Sequence, residues 1–283
     1  MSQAAYRQMV FDEWSNPAAV SAWRTWHPKI VVQQELMKQA LLAQARIEPG
    51  MRVLDLAAGS GDPAIAIAGL VGAEGEVTAL DVSAEMLEVC EDNAREAGRT
   101  NMTFACADAE ALPFTDETFD RVTSRLGIMY FVDAQKALSE IRRVLKPGGI
   151  AAFLVWGPAE SSPYFLCGLG PFMQRLNPPA PAPDAPGPLR YAAPGSLSRE
   201  LHAAGFEAVH EQQHVVELPW PGSPDELWQH LYDVAVPARP LFDGLPPTER
   251  DDAVAEAVAG FGEYYDGVHV NVPAAIVVAA RTR

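Results

Sequence analysis

The sequence predicts an α/β protein with a mostly parallel sheet, and two observations lead to this prediction. Short apolar segments alternate with segments of helical length between residues 51 and 156. A turn containing two glycines, Gly59 and Gly61, directly follows the first apolar segment. Such alternation is typical of βαβ units, whose parallel strands are joined by right-handed crossovers.

The elements of this alternating region follow from apolar periodicity and from helix-breaking residues. Gly98 stands where a glycine commonly ends a helix. The sequence Lys-Pro-Gly-Gly at residues 146–149 ends another helix. The predicted strands are residues 51–56, 76–80, 102–106, 119–124 and 150–156, and the predicted helices are residues 63–71, 84–97 and 133–145.

The flanking segments predict a helical cap, a lid and an extension of the sheet. Residues 1–48 have helical periodicity, which ends at Glu48-Pro49-Gly50. We expect this cap to precede one main domain at residues 49–283, with lid segments at about 157–195 and 219–266. The first lid segment is rich in proline and glycine and predicts a loop. Beyond it, the predicted elements are a helix at 196–204, a strand at 207–218, proline-broken helices at 223–266 and a last strand at 268–281.

Composition narrows the classes of function. The 283 residues carry a formal net charge of −16, whereas nucleic-acid binding needs clustered Lys and Arg, so no nucleic-acid partner is expected. No run of about 18 apolar residues occurs, so no membrane span is expected. Cys90, Cys106 and Cys167 are too widely spaced for a zinc site or a disulfide framework, which favours the cytoplasm.

Carboxylates accompany three successive predicted strands. Asp55 lies in the first strand just before the glycines, Asp81 ends the second strand, and Asp108 follows the third. The carboxyl ends of parallel strands meet at one edge of the sheet, where open α/β folds bind ligands. Asp81 is placed to accept the hydroxyl groups of a ribose, and Asp108 to accept a hydrogen bond from an adenine amino group.

The glycine turn alone leaves two classes of ligand open. Its Gly-x-Gly-x-x-Ala pattern, at residues 59–64, also fits a dinucleotide whose pyrophosphate binds at a helix N-terminus. Asp55 argues against a pyrophosphate, because a carboxylate there would repel it and would attract an ammonium or sulfonium group. We further expect Asp62 to cap the following helix and Pro63 to occupy its first position.

Four ordered motifs resemble the class I S-adenosylmethionine-dependent methyltransferases, in particular the branch with the ubiquinone and menaquinone biosynthesis C-methyltransferases. The motifs are VLDLAAGSGD at 53–62, DVSAEML at 81–87, DAEALPF at 108–114 and RVLKPGG at 143–149. The resemblance covers roughly residues 50–156. It implies a Rossmann-like, seven-stranded, mostly parallel sheet with an antiparallel last strand and helical cap and lid segments. It also implies S-adenosyl-L-methionine as the cofactor.

The resemblance implies roles for individual residues. The glycine turn would hold the methionine moiety, Asp81 the ribose hydroxyls, and Asp108 the adenine edge. Arg125 and Leu126 lie where the fourth strand of the family ends beside the transferred methyl group. The implied cofactor-binding residues are Asp55, Ala57, Gly59, Gly61, Asp81, Val82, Met86, Asp108, Ala109, Arg125 and Leu126.

The methyl acceptor is less constrained by the sequence. A small aromatic or quinone-like metabolite is expected from the resemblance, although residues 157–266 do not match the quinone enzymes well. Aromatic residues in segments 1–30 and 157–190 predict an apolar acceptor pocket, and packing in the core or in a homodimer contact stays open as the alternative. His27 is the candidate general base, and no cluster with metal-ligand spacing occurs. A S-adenosylmethionine-binding protein without transferase activity and an NAD-dependent oxidoreductase stay open as alternatives.

Overall fold

Seven strands form one sheet in the computed structural model, which describes residues 3–180, 182 and 185–282. Their spatial order is the third, second, first, fourth, fifth, seventh and sixth along the chain. The strands are β1 (Arg52–Leu56), β2 (Glu76–Asp81), β3 (Met102–Cys106), β4 (Phe119–Arg125), β5 (Leu145–Trp156), β6 (Glu207–Trp220) and β7 (Val270–Thr282).

The pairing of these strands confirms the expected fold class. The neighbouring pairs among β1 to β5 are parallel, and β7 lies antiparallel between β5 and β6. β1 has β2 on one side and β4 on the other, so the crossovers leave in opposite directions from this point. A crevice therefore opens at the carboxyl ends of the central strands.

Helices cover both faces of the sheet, as a parallel sheet requires. On one face, Met37, Leu231 and Phe261 belong to a buried cluster, and on the other Leu138 and Leu201 belong to a second cluster. The helices of the described residues are α1 (Gln3–Trp14), α2 (Pro17–Gln33), α3 (Glu35–Ala45), α4 (Ala64–Val71), α5 (Ala84–Glu96), α6 (Ala134–Val144), α7 (Pro163–Gly168), α8 (Gly170–Leu176), α9 (Ser196–Ala203), α10 (Pro224–Val234), α11 (Arg239–Asp243) and α12 (Pro247–Gly262). None of the described helices is long and apolar enough to cross a membrane.

The expected loop at 157–195 was wrong, because α7 and α8 lie within it. Each helix has a proline in its first turn, Pro163 or Pro171, where the missing proline N–H costs no helical hydrogen bond. Phe172 is fully buried, and its ring stacks on that of Trp228 at a centroid distance of 5.2 Å. Residues 181, 183 and 184 of that expected loop, and residues 1 and 2 of the expected cap, lie outside the described residues.

β5 begins at Leu145 rather than at the predicted residue 150. Leu145 pairs with Phe119 of β4, and the register then shifts before Ile150 pairs with Arg121. Gly148 has a φ of +77°, which a glycine adopts without strain. The Lys-Pro-Gly-Gly segment is therefore the irregular start of a strand as well as the end of a helix.

Candidate active site

A cavity of about 1700 Å³ lies at the carboxyl ends of β1 to β4. Its walls combine the residues that follow these strands with residues from α1, α2, α7, α8, α10 and α11, and with residues 178, 179, 182 and 185–190. A pocket for one drug-sized ligand usually measures about 300–1000 Å³. The volume is thus large enough for two ligands that lie side by side.

The glycine turn forms the floor of the cavity. Ala57 and Gly59 line it and have φ angles of 55° and 53°, so the chain turns sharply after β1. Gly61 has a φ of 108°, and a Cβ atom there would lie 2.6 Å from the Cδ1 of Ile65. This glycine packs the turn against α4 and is not one of the lining residues, whereas Ala57 and Gly59 face the cavity.

Asp81 holds the end of β2 against this turn. Its two carboxylate oxygens accept hydrogen bonds from the backbone N–H groups of Gly59, at 2.9 Å, and Ser83, at 3.0 Å. Burial raises the pKa of Asp81, and these backbone hydrogen bonds oppose that rise. Asp81 lines the cavity together with Val82 and Met86.

Asp108 and Ala109 line the same cavity beyond β3, next to a cation that the sequence did not identify. The guanidinium of Arg7, from α1, forms an ion pair with Glu110, and its Nε lies 3.5 Å from a carboxylate oxygen of Asp108. The Glu110 side chain is buried. Arg7 is distant in sequence from Asp108 and Glu110. Its contacts with these two carboxylates are therefore seen only in the folded chain.

Asp55 lies behind the glycine turn, outside the residues that line the cavity. Its Oδ1 accepts a hydrogen bond of 2.5 Å from the Thr123 hydroxyl, and its buried Oδ2 has no partner within the described residues. Burial raises the pKa of Asp55 to about 7, although the Thr123 bond opposes the rise. At neutral pH this carboxyl is therefore only partly ionised, which weakens the expected attraction for a cation.

Asp62 does not cap the next helix, contrary to the prediction. Its carboxylate forms a buried ion pair with Arg125 at 2.6 Å and lies 3.2 Å from the Nζ of Lys38. Pro63 occupies the N-cap position of α4 rather than the first helical position. The Asp62 carboxylate thus binds two cations instead of the backbone N–H groups at the start of α4. Arg125 and Leu126 line the cavity.

His27 lies outside the lining residues, so its catalytic assignment is not favoured by the geometry. Its Nδ1 is 2.9 Å from the hydroxyl of Ser60, which does line the cavity. Burial lowers the pKa of His27. The structure places it beneath the glycine turn, where it supports Ser60.

Two other titratable side chains line the cavity that the sequence did not single out. Glu13, from α1, makes no hydrogen bond or ion pair with the described residues, and it lies close enough to Tyr130 to raise the pKa of that phenol. His230, from α10, is almost fully buried. Neither position follows a local motif, so only tertiary structure brings them to the site.

The profile of the ubiE/COQ5 methyltransferase family matches residues 29–164. A ubiquinone/menaquinone biosynthesis C-methyltransferase UbiE from Cupriavidus metallidurans is 38% identical over 188 residues, which are 62% of this chain and 74% of that protein. The chain belongs to the ubiE/COQ5 methyltransferase family. The resemblance inferred from four motifs is thereby confirmed, and nothing in these comparisons supports the NAD-dependent alternative.

Other members of the ubiE/COQ5 family match a shorter part of the chain. The UbiE proteins of Marinomonas sp. and Ralstonia nicotianae are 41% and 42% identical over 127 and 131 residues. These matches cover 44% and 45% of this chain and 51% and 54% of the relatives. The chain thus spans about half the length of the first UbiE relatives.

Solved structures show the same fold at low sequence identity. The YcgJ protein from Bacillus subtilis has a TM-score of 0.56 and 23% identity, covering 89% of this chain and 98% of that one. A phosphoethanolamine N-methyltransferase 2 from Haemonchus contortus has a TM-score of 0.59 and 17% identity, covering all of this chain and 60% of that one. These structures show the fold of this chain.

The ubiE/COQ5 match covers the strand ends of β1 to β4 and stops within α7. α1, α8, α10 and α11 also line the cavity and lie outside the match. The family match therefore includes the strand-end part of the cavity and excludes the part that these helices line.

Proposed function

We propose that this protein is a S-adenosylmethionine-dependent methyltransferase that methylates a small, oxygenated aromatic acceptor such as a quinol. The observation that carries the proposal is one cavity in which strand-end carboxylates face a mostly apolar wall. Carboxylates suit a nucleoside, and an apolar wall suits an aromatic ring. Membership in the ubiE/COQ5 methyltransferase family supports the same chemistry.

The residues at the strand ends fit this cofactor. Each oxygen of Asp81 accepts one backbone N–H and retains a lone pair, so the carboxylate can also accept ribose hydroxyls. Asp108 lines the same wall, where an adenine amino group would find an acceptor. The unpaired Oδ2 of Asp55 lies behind the turn and adds a favourable potential for the ammonium group of the methionine moiety.

The chain contributes alignment and exclusion of water. When bound, S-adenosylmethionine supplies an electrophilic methyl group on a sulfonium sulfur. Trp14, Trp23 and Tyr130 line the cavity, with Trp14 at centroid distances of 6.3 Å from Trp23 and 5.7 Å from Tyr130. Such a cluster excludes water from the reacting groups, and aromatic faces favour a nearby cation.

Glu13 is the group that we assign to proton removal from the acceptor. A quinol hydroxyl becomes a stronger nucleophile when it loses its proton, and a base near the operating pH does this best. Burial raises the pKa of Glu13, which makes it a stronger base than an exposed carboxylate. Glu13 also belongs to the wall that contains Trp14 and Tyr130.

Calorimetric titration with S-adenosylmethionine and with NAD tests the cofactor. We expect binding of S-adenosylmethionine alone, and a Kd at least about tenfold higher in Asp81→Asn, because a hydrogen bond to a charged group contributes about 1.5–3 kcal/mol and about 1.4 kcal/mol corresponds to tenfold in Kd. Asp252→Asn, at an exposed position on α12, is the control and is expected to match the parent.

Incubation with methyl-labelled S-adenosylmethionine and a panel of hydroquinones, phenols, amines and fatty acids tests the transfer. Label in the hydroquinones, with release of S-adenosylhomocysteine, is the expected result. Cofactor binding without transfer to any of these acceptors would instead support a binding protein that has no transferase role.

The proposal also covers the cellular compartment and the oligomeric state of the protein. The cysteines Cys90, Cys106 and Cys167 are all free, which suits a reducing cytoplasm. A homodimer stays a prediction, and the molar mass measured by light scattering during gel filtration would test it.

A further inference from the structure

His230 is a polar group enclosed by aromatic rings. It lies on α10 and is 2% exposed, yet it lines the cavity. Its ring stacks on Trp220 at a centroid distance of 4.4 Å and an interplanar angle of 21°, and Trp26 contacts it edge-on at 5.7 Å. These contacts fix the plane of the imidazole.

The imidazole has unmet hydrogen-bonding capacity. Its Nδ1 is buried and has no partner within the described residues. Burial lowers the pKa of His230 to about 3, and the charge of Lys29 adds to this effect. The ring is therefore neutral at physiological pH, with one nitrogen as donor and the other as acceptor. Neither ring nitrogen makes a hydrogen bond with the described residues, so the imidazole is free to bind a polar group from outside the chain.

The surroundings of His230 in the cavity are apolar. Every other lining residue from 231 to 244 has an aliphatic side chain, a proline ring or no side chain. Leu231 and Val234 follow His230 on the same helix. A ligand that lies against this wall can therefore be hydrogen-bonded from α10 at one position only.

We propose that His230 binds a ring oxygen of the methyl acceptor and thereby selects an oxygenated aromatic compound over a hydrocarbon of the same shape. This inference rests on the proposed function and names the group that recognises its substrate class. Nδ1 is enclosed, so the contact is assigned to Nε2. No neighbour fixes the tautomer, hence Nε2 can accept from a hydroxyl or donate to a carbonyl.

His230 anchors the acceptor and does not take its proton. A ring that stays neutral down to about pH 3 is a weak base, whereas Glu13, on another wall, has a raised pKa. The two groups therefore differ in role. Loss of His230 should raise KM for oxygenated acceptors more than it lowers kcat.

A matched pair of variants separates hydrogen bonding from packing. His230→Phe keeps a flat ring for stacking on Trp220 but removes both nitrogens. His230→Gln keeps a donor and an acceptor near the position of Nε2. Thermal unfolding and the Kd for S-adenosylhomocysteine serve as checks, and both variants should keep that Kd within about threefold of the parent.

The decisive experiment titrates the protein, loaded with S-adenosylhomocysteine, with 1-naphthol and with its isostere 1-methylnaphthalene. We expect the parent to bind 1-naphthol about tenfold more tightly, the value of one hydrogen bond. We expect His230→Phe to lose this preference and His230→Gln to retain most of it. An unchanged preference in His230→Phe, or no binding of 1-naphthol by the parent, would overturn the assignment.

This binding test is independent of catalysis. If the parent prefers 1-naphthol through His230 but transfers no methyl group to the acceptor panel, the subsite stands and the proposed transferase function fails. If transfer occurs and the preference does not depend on His230, the function stands and the subsite fails.

Discussion

Glu13 lies close to two tyrosines and forms no ion pair with the described residues. Its charge helps to raise the pKa of both Tyr6 and Tyr130, so it is close to the two phenol groups. Asp62 and Glu110, in contrast, each form an ion pair with an arginine. A carboxylate that is free of such a pair can accept a proton from a ligand.

We predict that Glu13→Gln lowers kcat for a hydroquinone acceptor by about 10²-fold or more, within the usual range for a lost general base. The parent should lose activity as the pH falls through the raised pKa of Glu13, because the base is then protonated. The variant should lack this acidic limb. Steady-state rates between pH 5 and 9 measure both effects, with Glu249→Gln on the exposed surface of α12 as the control. An unchanged kcat would exclude Glu13 as the base.

At the residue scale, the sequence identified cavity-lining residues at the strand ends better than those on the surrounding helices. Asp81 and Asp108 belong to short motifs at strand ends, and the order of the strands alone brings them together. Arg7 and His230 reach the cavity from opposite ends of the chain. Their positions depend on how the helices pack, and no local pattern encodes that packing.

At the scale of elements, α1 lies along the cavity and connects separate parts of its wall. Arg7 connects it to Glu110 beyond β3, and the hydroxyl of Tyr6 donates a hydrogen bond of 3.0 Å to the carbonyl oxygen of Pro186. Glu13 and Trp14 at its far end line the cavity. α1 therefore connects the residues that follow β3 with Pro186 and with the part of the cavity wall that contains Trp14.

We predict that deletion of residues 1–15 lowers turnover at least about a hundredfold and changes the Kd for S-adenosylmethionine by less than about fivefold. The reason is that a lid contributes water exclusion and acceptor contacts, whereas the strand ends hold the cofactor. Calorimetry and label transfer measure the two quantities. Arg7→Ala, which removes the ion pairs with Glu110 and Asp108 but keeps the rest of α1, should have a smaller effect on turnover. Equal losses of binding and turnover in the deletion variant would count against the lid.

The helices α7 and α8 show why this part of the fold was not predicted. Prolines and glycines in residues 157–195 were interpreted as signs of a loop, but Pro163 and Pro171 stand in the first turns of helices. The same residue type begins a helix or prevents one, depending on its position. In α8, the buried ring of Phe172 stabilises the helix because it packs against α10.

At the scale of the whole molecule, the sheet followed from the sequence because alternating strands and helices restrict the topology to a few arrangements. The packing of the N-terminal cap against the sheet did not follow from the sequence, because it depends on many apolar contacts between residues that are far apart in the chain. The site also contains a buried carboxyl group that affects the stability of the whole fold. Asp55 has one buried carboxylate oxygen without a partner, and its pKa is raised to about 7.

This raised pKa makes the stability of the whole fold depend on pH. The native state keeps the Asp55 proton up to about pH 7, whereas the unfolded chain releases it near the ordinary value of 3.8, so the stability contributed by this group falls as the pH rises between them. His230 has the opposite sign, because its lowered pKa favours unfolding as the pH falls below 6.5. Comparison of a variant with its parent isolates the Asp55 contribution.

We predict that Asp55→Asn becomes more stable relative to the parent by about 2 kcal/mol when the pH rises from 5.5 to 8, since each unit of pKa difference corresponds to about 1.4 kcal/mol. The amide still accepts the Thr123 hydroxyl and carries no charge to bury. Urea unfolding followed by tryptophan fluorescence at both pH values measures the change. Asp252→Asn should show no such trend. If Asp55→Asn and the parent keep a constant stability difference across this range, the buried carboxyl is ionised throughout, and the site attracts cations more strongly than we infer.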